Sequence, residues 1–193
     1  REDMIEKVLR GYGTVGNDQP ISRSMPYYND DLEQITYDPE RAKYHLKQAG
    51  LESLDVTLST SDAAFNGAVD ASVLFAESAR PAGLNIEVKR EPDDGYWSNV
   101  WLQKPFCCSY WGGRPTPDLM FSTGYAADAE WNETKWDNER FNELLLQARP
   151  GILGQYRPGN LSVCNQSLIL NSGKDPLPVL PLQHSCHEFG LQG

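Results

Sequence analysis

The stretch YDPERAKYHLKQAGLESLDVTLST, residues 37–60, decides the fold class. Asp38 is a residue type that caps a helix, Pro39 suits the first helical position, and Gly50 suits the stop. Ala42, Leu46 and Ala49 fall on one side of the helix so defined. Leu54, Val56 and Leu58 then alternate with polar residues, the period of a half-buried strand. A helix running directly into a strand points to an alternating α/β chain.

Downstream, Phe65, Val69, Val73 and Ala76 recur at spacings of four and three and predict a second helix. LNIEVKRE, through Leu84, Ile86 and Val88, predicts a second strand. Residues 92–103 predict a short helix carrying Trp97 and Trp101, and PFCCSYW predicts a third strand. DNERFNELLLQAR, residues 137–149, predicts a closing helix through Phe141, Leu144 and Leu145. Strand, helix, strand, helix, strand is the pattern of an α/β domain with right-handed crossovers. Upstream, Met4, Ile5, Val8 and Leu9 are spaced for a helix that Gly11 ends, and residues 11–35 read as an irregular crossing segment.

After Arg149 no period is sustained, so residues 150–193 are expected to be an anomalous tail, frame-shifted or disordered. The chain does not begin with Met, and REDMIEKVLRGYG lacks the continuous apolar core of a signal peptide. A fragment of a longer protein is expected.

With 193 residues and 39% apolar content, the chain can build a core. Its 27 acidic against 17 basic residues, a net charge of −10, argue against nucleic acid or an anionic membrane as partner. No apolar run is long enough to cross a bilayer. GYGTVG, residues 11–16, matches a dinucleotide fingerprint literally but comes after a helical pattern and precedes Pro20, so no cofactor is expected. His184, Cys186 and His187 are metal-ligand types without a fourth partner at ligand spacing, and no metal is expected. Adjacent Cys107 and Cys108 read as small core hydrophobes. Asn132-Glu-Thr, Asn160-Leu-Ser and Asn165-Gln-Ser match the glycosylation pattern, which recurs by chance.

Tyr96, Trp97, Trp101, Tyr110, Trp111, Tyr125, Trp131 and Trp136 crowd into one part of the chain. They suit either a cleft that grips a partly polar ligand or an aromatic packing layer. WGGRPTPDLMF, residues 111–121, offers Thr116 as a cap, Pro117 at the first helical position and Asp118 in the first turn. Arg114 precedes this helix, and Gly112 and Gly113 permit close approach of a ligand. Arg114 can clamp a carboxylate or phosphate, or simply pair with Asp118.

YDPERAKYHLKQAGL resembles the Y-D-P-x-x-A-x-x-L-x-x-A-G segment of solute-binding proteins of peptide- and nickel-type ABC importers, the family 5 extracellular solute-binding proteins. AGLNIEVKRE, SYWGGRPTPDLMF and WDNERFNELLLQAR come in that family's order, over roughly residues 1–149. The resemblance implies a two-lobed, hinged, non-enzymatic receptor that encloses a peptide-like or other small polar solute between its lobes. It implies delivery to ABC permease subunits, a periplasmic or extracytoplasmic location and a monomer. Residues 36–149 would form a periplasmic-binding-protein-like α/β lobe of β-α-β units with a mixed sheet. Residues 1–35 would belong to the first lobe, leaving that lobe incomplete.

In peptide-binding members a W-x-G-D loop uses its aspartate to hold the peptide's α-amino group, and Arg114 occupies that position here. An arginine repels an ammonium group. The ligand is therefore expected to present an anionic or amide group there, or Asp118 takes the amine. The expected ligand-contacting residues are Trp111, Arg114, Tyr110, Trp97, Gly113 and Asp118. The alternative is an α/β hydrolase or transferase using Asp118 or Asp128 in an aromatic cleft.

Overall fold

The computed structural model describes residues 1–16 and 18–149, so every expectation about residues 150–193 lies outside the described residues. The chain forms two compact units. Among the described residues the first comprises 1–15 and 36–110, and the second comprises 16–35 and 111–149.

In the first unit, helix α1 (Pro39–Gln48) begins where Asp38 accepts a hydrogen bond from the Arg41 amide at 2.9 Å. It ends before Gly50, whose φ of +75° is open to glycine at little cost. Leu46 is the buried residue of its inner face. Strand β1 (Leu54–Thr60) pairs in parallel with β2 (Leu84–Arg90), with Leu54 opposite Leu84, Val56 opposite Ile86 and Leu58 opposite Val88. This register puts the alternating apolar residues of both strands on one face. Helix α2 (Ala68–Ala79) makes the crossover and buries Ala68, Ser72, Ala76 and Ala79. The polar face pairs Asn85 with Asp55 at 2.7 Å and Thr57 with Glu87 at 3.2 Å.

Several elements differ from the sequence expectation. The N-terminal helix is a π-helical turn, Met4–Val8, after which Arg10 and Gly11 both take positive φ. The second helix starts at Ala68 rather than Phe65, because Gly67 at φ +81° precedes it. The helix expected over 92–103 shrinks to α3 (Tyr96–Asn99), with Gly95 at φ +76° before it and Leu102 at φ +60° after it.

The expected third strand is reduced to a single parallel bridge, Ser59 to Cys107. The Ser59 amide donates to Phe106 O at 3.0 Å and the Cys108 amide to Ser59 O at 2.9 Å, and pairing stops there. The reason is local. Pro105 has no N–H to extend the ladder backward. The Cys108 carbonyl is taken by the Tyr96 hydroxyl at 2.7 Å. Among the described residues, therefore, the sheet is two-stranded and parallel, and the expected mixed sheet reduces to that pair.

In the second unit, α4 (Pro117–Gly124) is capped by Thr116, whose hydroxyl accepts from the Leu119 amide at 3.2 Å. α5 (Glu139–Ala148) is capped by Asn138, whose side chain accepts from the Phe141 amide at 2.9 Å. Their inner faces form one core of Met120, Phe121, Phe141, Leu144 and Leu145, with Trp111 and Ile21. Phe121 and Phe141 meet edge to face at 5.6 Å, and Trp136 meets Phe141 at 4.9 Å. Each such ring contributes roughly 1.5–3 kcal/mol by its burial.

Ile21, fully buried, ties residues 16–35 to this core. Gln19, also buried, holds that segment's loop. Its amide group donates to Asn29 O at 2.8 Å and its carbonyl accepts from the Asn29 amide at 3.1 Å. The sequence alone keeps residues 1–35 apart from 36–149, because no periodic pattern marks one isoleucine as a core residue of a distant pair of helices.

Candidate functional site

The expected site residues fall in both units, and each group is described on its own. In the first unit Trp97 stands at the start of α3 and Tyr110 at the end of the bridge segment. Both are exposed, at 38% and 54%. Their rings meet at 5.4 Å and 74°, and Trp97 also meets Trp101 at 5.8 Å. The result is an outward-facing aromatic group.

Tyr96, in the same cluster by sequence, does something else. It is 1% exposed and its hydroxyl donates to Cys108 O at 2.7 Å and Ser59 O at 3.3 Å. Burial pushes its phenol well above the ordinary range, so it stays a hydrogen-bond donor. Tyr96 is the keystone of the bridge rather than a ligand platform.

In the second unit Trp111 is 8% exposed and belongs to the core. Its indole lies against Gly124 of α4, where a Cβ would come within 2.6 Å of Cη2. Trp131 meets it edge-on at 5.9 Å and is 39% exposed. The Arg114 guanidinium lies 5.4 Å from the Trp111 ring and 5.9 Å from the Trp131 ring. Its Nη1 donates to Gly112 O at 2.8 Å. Two indoles and a carbonyl hold this side chain before any ligand arrives, so part of the roughly 2 kcal/mol of arginine rotamer entropy is already lost. A Cβ on Gly113 would meet nothing within 4 Å.

Asp118, by spacing a candidate partner of Arg114, bonds Arg149 instead. Arg149 Nε lies 2.8 Å from its carboxylate, and the Arg149 guanidinium also donates to Ser122 Oγ. This pair fastens the start of α4 to the end of α5. Asp118 is thereby engaged within the second unit, which leaves it poorly placed as a general base.

Sequence reasoning misses Asn132, which reads there only as part of a chance glycosylation pattern. It is 3% exposed. Its amide group donates to Trp136 O at 2.7 Å and Ala126 O at 3.2 Å, while its carbonyl accepts from the Trp136 amide at 3.2 Å. It shapes the loop that carries Trp131. Asn with Thr two residues later was the available signal, and here the Asn132 side-chain carbonyl accepts from the Thr134 hydroxyl at 3.2 Å as well as from the Trp136 amide.

Cys107 and Cys108 are free thiols, and burial raises the Cys108 thiol above its usual value. A concavity of about 390 Å³ opens on the sheet, lined by Asp55, Thr57, Arg80, Asn85 and Glu87. Its polar groups are largely paired across the strands, and it contains none of the expected site residues. Among the described residues there is no cluster of His, Cys, Asp and Glu suited to a metal, and no helix long and apolar enough to cross a membrane.

The family model described as bacterial extracellular solute-binding proteins, family 5 Middle, matches residues 1–133. The chain is 28% identical over 165 residues to the dipeptide-binding protein of Escherichia coli, covering 77% of this chain and 29% of that protein. Its fold matches HbpA2 of Haemophilus parasuis with a TM-score of 0.72 at 18% identity, over 91% of this chain and 35% of that one. It also matches the ABC transporter-associated periplasmic binding protein DppA of Helicobacter pylori, solved in complex with the peptide STSA. There the TM-score is 0.64 at 16% identity, over 91% of this chain and 34% of that one. The chain thus spans about a third of the length of these proteins. Two parallel strands joined through a helix, the fold these binding proteins share and the family match over most of the chain lead to one assignment: this chain belongs to the family 5 bacterial extracellular solute-binding proteins.

Proposed function

We propose that the chain is part of the solute-binding component of an ABC importer, capturing a peptide-like or other small polar solute outside the cytoplasm. The observation that carries this reading is the family match over residues 1–133, which takes in both aromatic groups. The E. coli relative is a dipeptide-binding protein and the H. pylori structure holds a peptide, which supports a peptide-like solute here. Exposed Trp97, Tyr110 and Trp131 supply stacking faces with polar tips. The mechanism is closure of a two-lobed receptor over the solute, then delivery to ABC permease subunits. The receptor acts as a monomer, binds rather than converts its ligand, and works in the periplasm or an equivalent extracytoplasmic space.

The test is retention. The purified full-length protein is incubated with a pool of di- to tetrapeptides and desalted, and the bound fraction is identified by mass spectrometry. A discrete retained solute that also raises Tm is the expected result. A protein that retains nothing and shows no thermal shift with the pool overturns the reading. Permease and ATPase genes beside its own are the expected genomic setting.

A further inference from the structure

Arg114 is the one expected site residue whose chemistry changes what the solute must be. Its guanidinium lies within cation–π range of Trp111 and Trp131 and gives one hydrogen bond to Gly112 O. Among the described residues no carboxylate pairs with it, although the chain carries ten more acidic than basic residues. The nearest acid in sequence within the same unit, Asp118, is occupied by Arg149. The backbone beside it is open, since a Cβ on Gly113 would meet nothing within 4 Å and one on Gly112 would meet only Arg114 Nη1, at 3.7 Å. A partly buried, braced cation with N–H donors beyond the one on Gly112 O is complementary to a planar oxyanion.

We propose that Arg114, braced by Trp111 and Trp131, receives a carboxylate or equivalent oxyanion of the solute. This rests on the solute-binding reading above and narrows it. The two indoles and the Gly112 carbonyl restrain the side chain, and a guanidinium has further N–H donors in its plane that a carboxylate can meet with two hydrogen bonds. An ammonium group at the same place would be repelled. The solute therefore enters with an acidic group toward this loop, and any amine it carries lies elsewhere.

The test compares N-acetyl-Ala-Ala bearing a free carboxylate with its C-terminal amide, and includes acetate and inorganic phosphate as free anions. Binding to the full-length protein is measured by calorimetry and by tryptophan fluorescence. The acid is expected to bind at least tenfold more tightly than the amide, and the difference disappears in Arg114→Gln. Arg114→Lys keeps the charge but not the planar edge, and restores only part of the preference. Saturable binding of acetate or phosphate that is lost in Arg114→Gln also supports the site, with a free anion as its source. Equal binding of acid and amide by the unaltered protein overturns the proposal without needing any variant to fold. A preference that survives Arg114→Gln overturns it too, as does the absence of any response to all four probes. If the peptide pool is still retained in those cases, only the oxyanion assignment has failed. If the pool is not retained either, the solute-binding reading fails with it.

Discussion

Tyr96 carries more of the first unit than its place in an aromatic run would indicate. Its hydroxyl serves two buried carbonyls, Cys108 O and Ser59 O, where the bridge segment meets β1. Tyr96→Phe leaves both without that donor while keeping the ring, and should destabilise the protein by about 1–3 kcal/mol in urea unfolding. A variant as stable as the parent would show that these carbonyls are satisfied without the hydroxyl. The neighbouring thiol gives a pH signature. Burial keeps Cys108 protonated in the folded state above its ordinary value of 9.0. Below that value the folded and unfolded chains both hold the proton and stability is undiminished. As pH rises through it the unfolded chain alone releases the proton, so stability falls. The urea midpoint should drop from pH 7 to pH 9.5, and Cys108→Ala should flatten that decline.

At the scale of elements, α4 depends on a missing side chain. Gly124 lets the helix lie directly on Trp111, and a Cβ there would come within 2.6 and 2.9 Å of two indole carbons. Alanine is the better helix former by up to about 1 kcal/mol. The clash, however, falls on a buried ring that Arg114 also uses. Gly124→Ala should therefore cost about 1–3 kcal/mol and alter the near-UV circular dichroism of the tryptophans. Unchanged stability with unchanged dichroism would mean that the indole yields at no cost.

The elements whose signals are local were legible in the sequence. Asp38 and Thr116 cap where they were expected to, Pro39 and Pro117 open their helices, and Leu54, Val56 and Leu58 alternate in β1. The third strand was not legible, because its fate turns on a hydroxyl eleven residues upstream of Cys107 in sequence. The aromatic cluster was half legible. Composition shows that rings are present, but only packing separates buried Tyr96 and Trp111 from exposed Trp97, Tyr110 and Trp131. The pairing of Asp118 with Arg149, 31 residues on, was likewise beyond reach of spacing rules, which favoured Arg114.

For the whole molecule, the decisive fact is that neither unit is continuous in sequence. Residues 16–35 belong with 111–149, separated from them by all of 36–110. A truncation beginning at Thr36 would delete Ile21 from the core of Phe121, Phe141 and Leu144 and remove the Gln19–Asn29 clasp. It should lower Tm, and the dye 8-anilinonaphthalene-1-sulfonate should bind the exposed core. A truncated chain that melts like the parent and binds no dye would show that Ile21 is dispensable. The order of synthesis gives the same feature a different meaning. The ribosome delivers Ile21 well before the helices that cover it, and in the interval the sheet, α1, α2 and α3 of the first unit emerge. The core partners of Ile21 are complete only once α5 has emerged. During translation this is the interval in which a chaperone holding residues 16–35 would matter most.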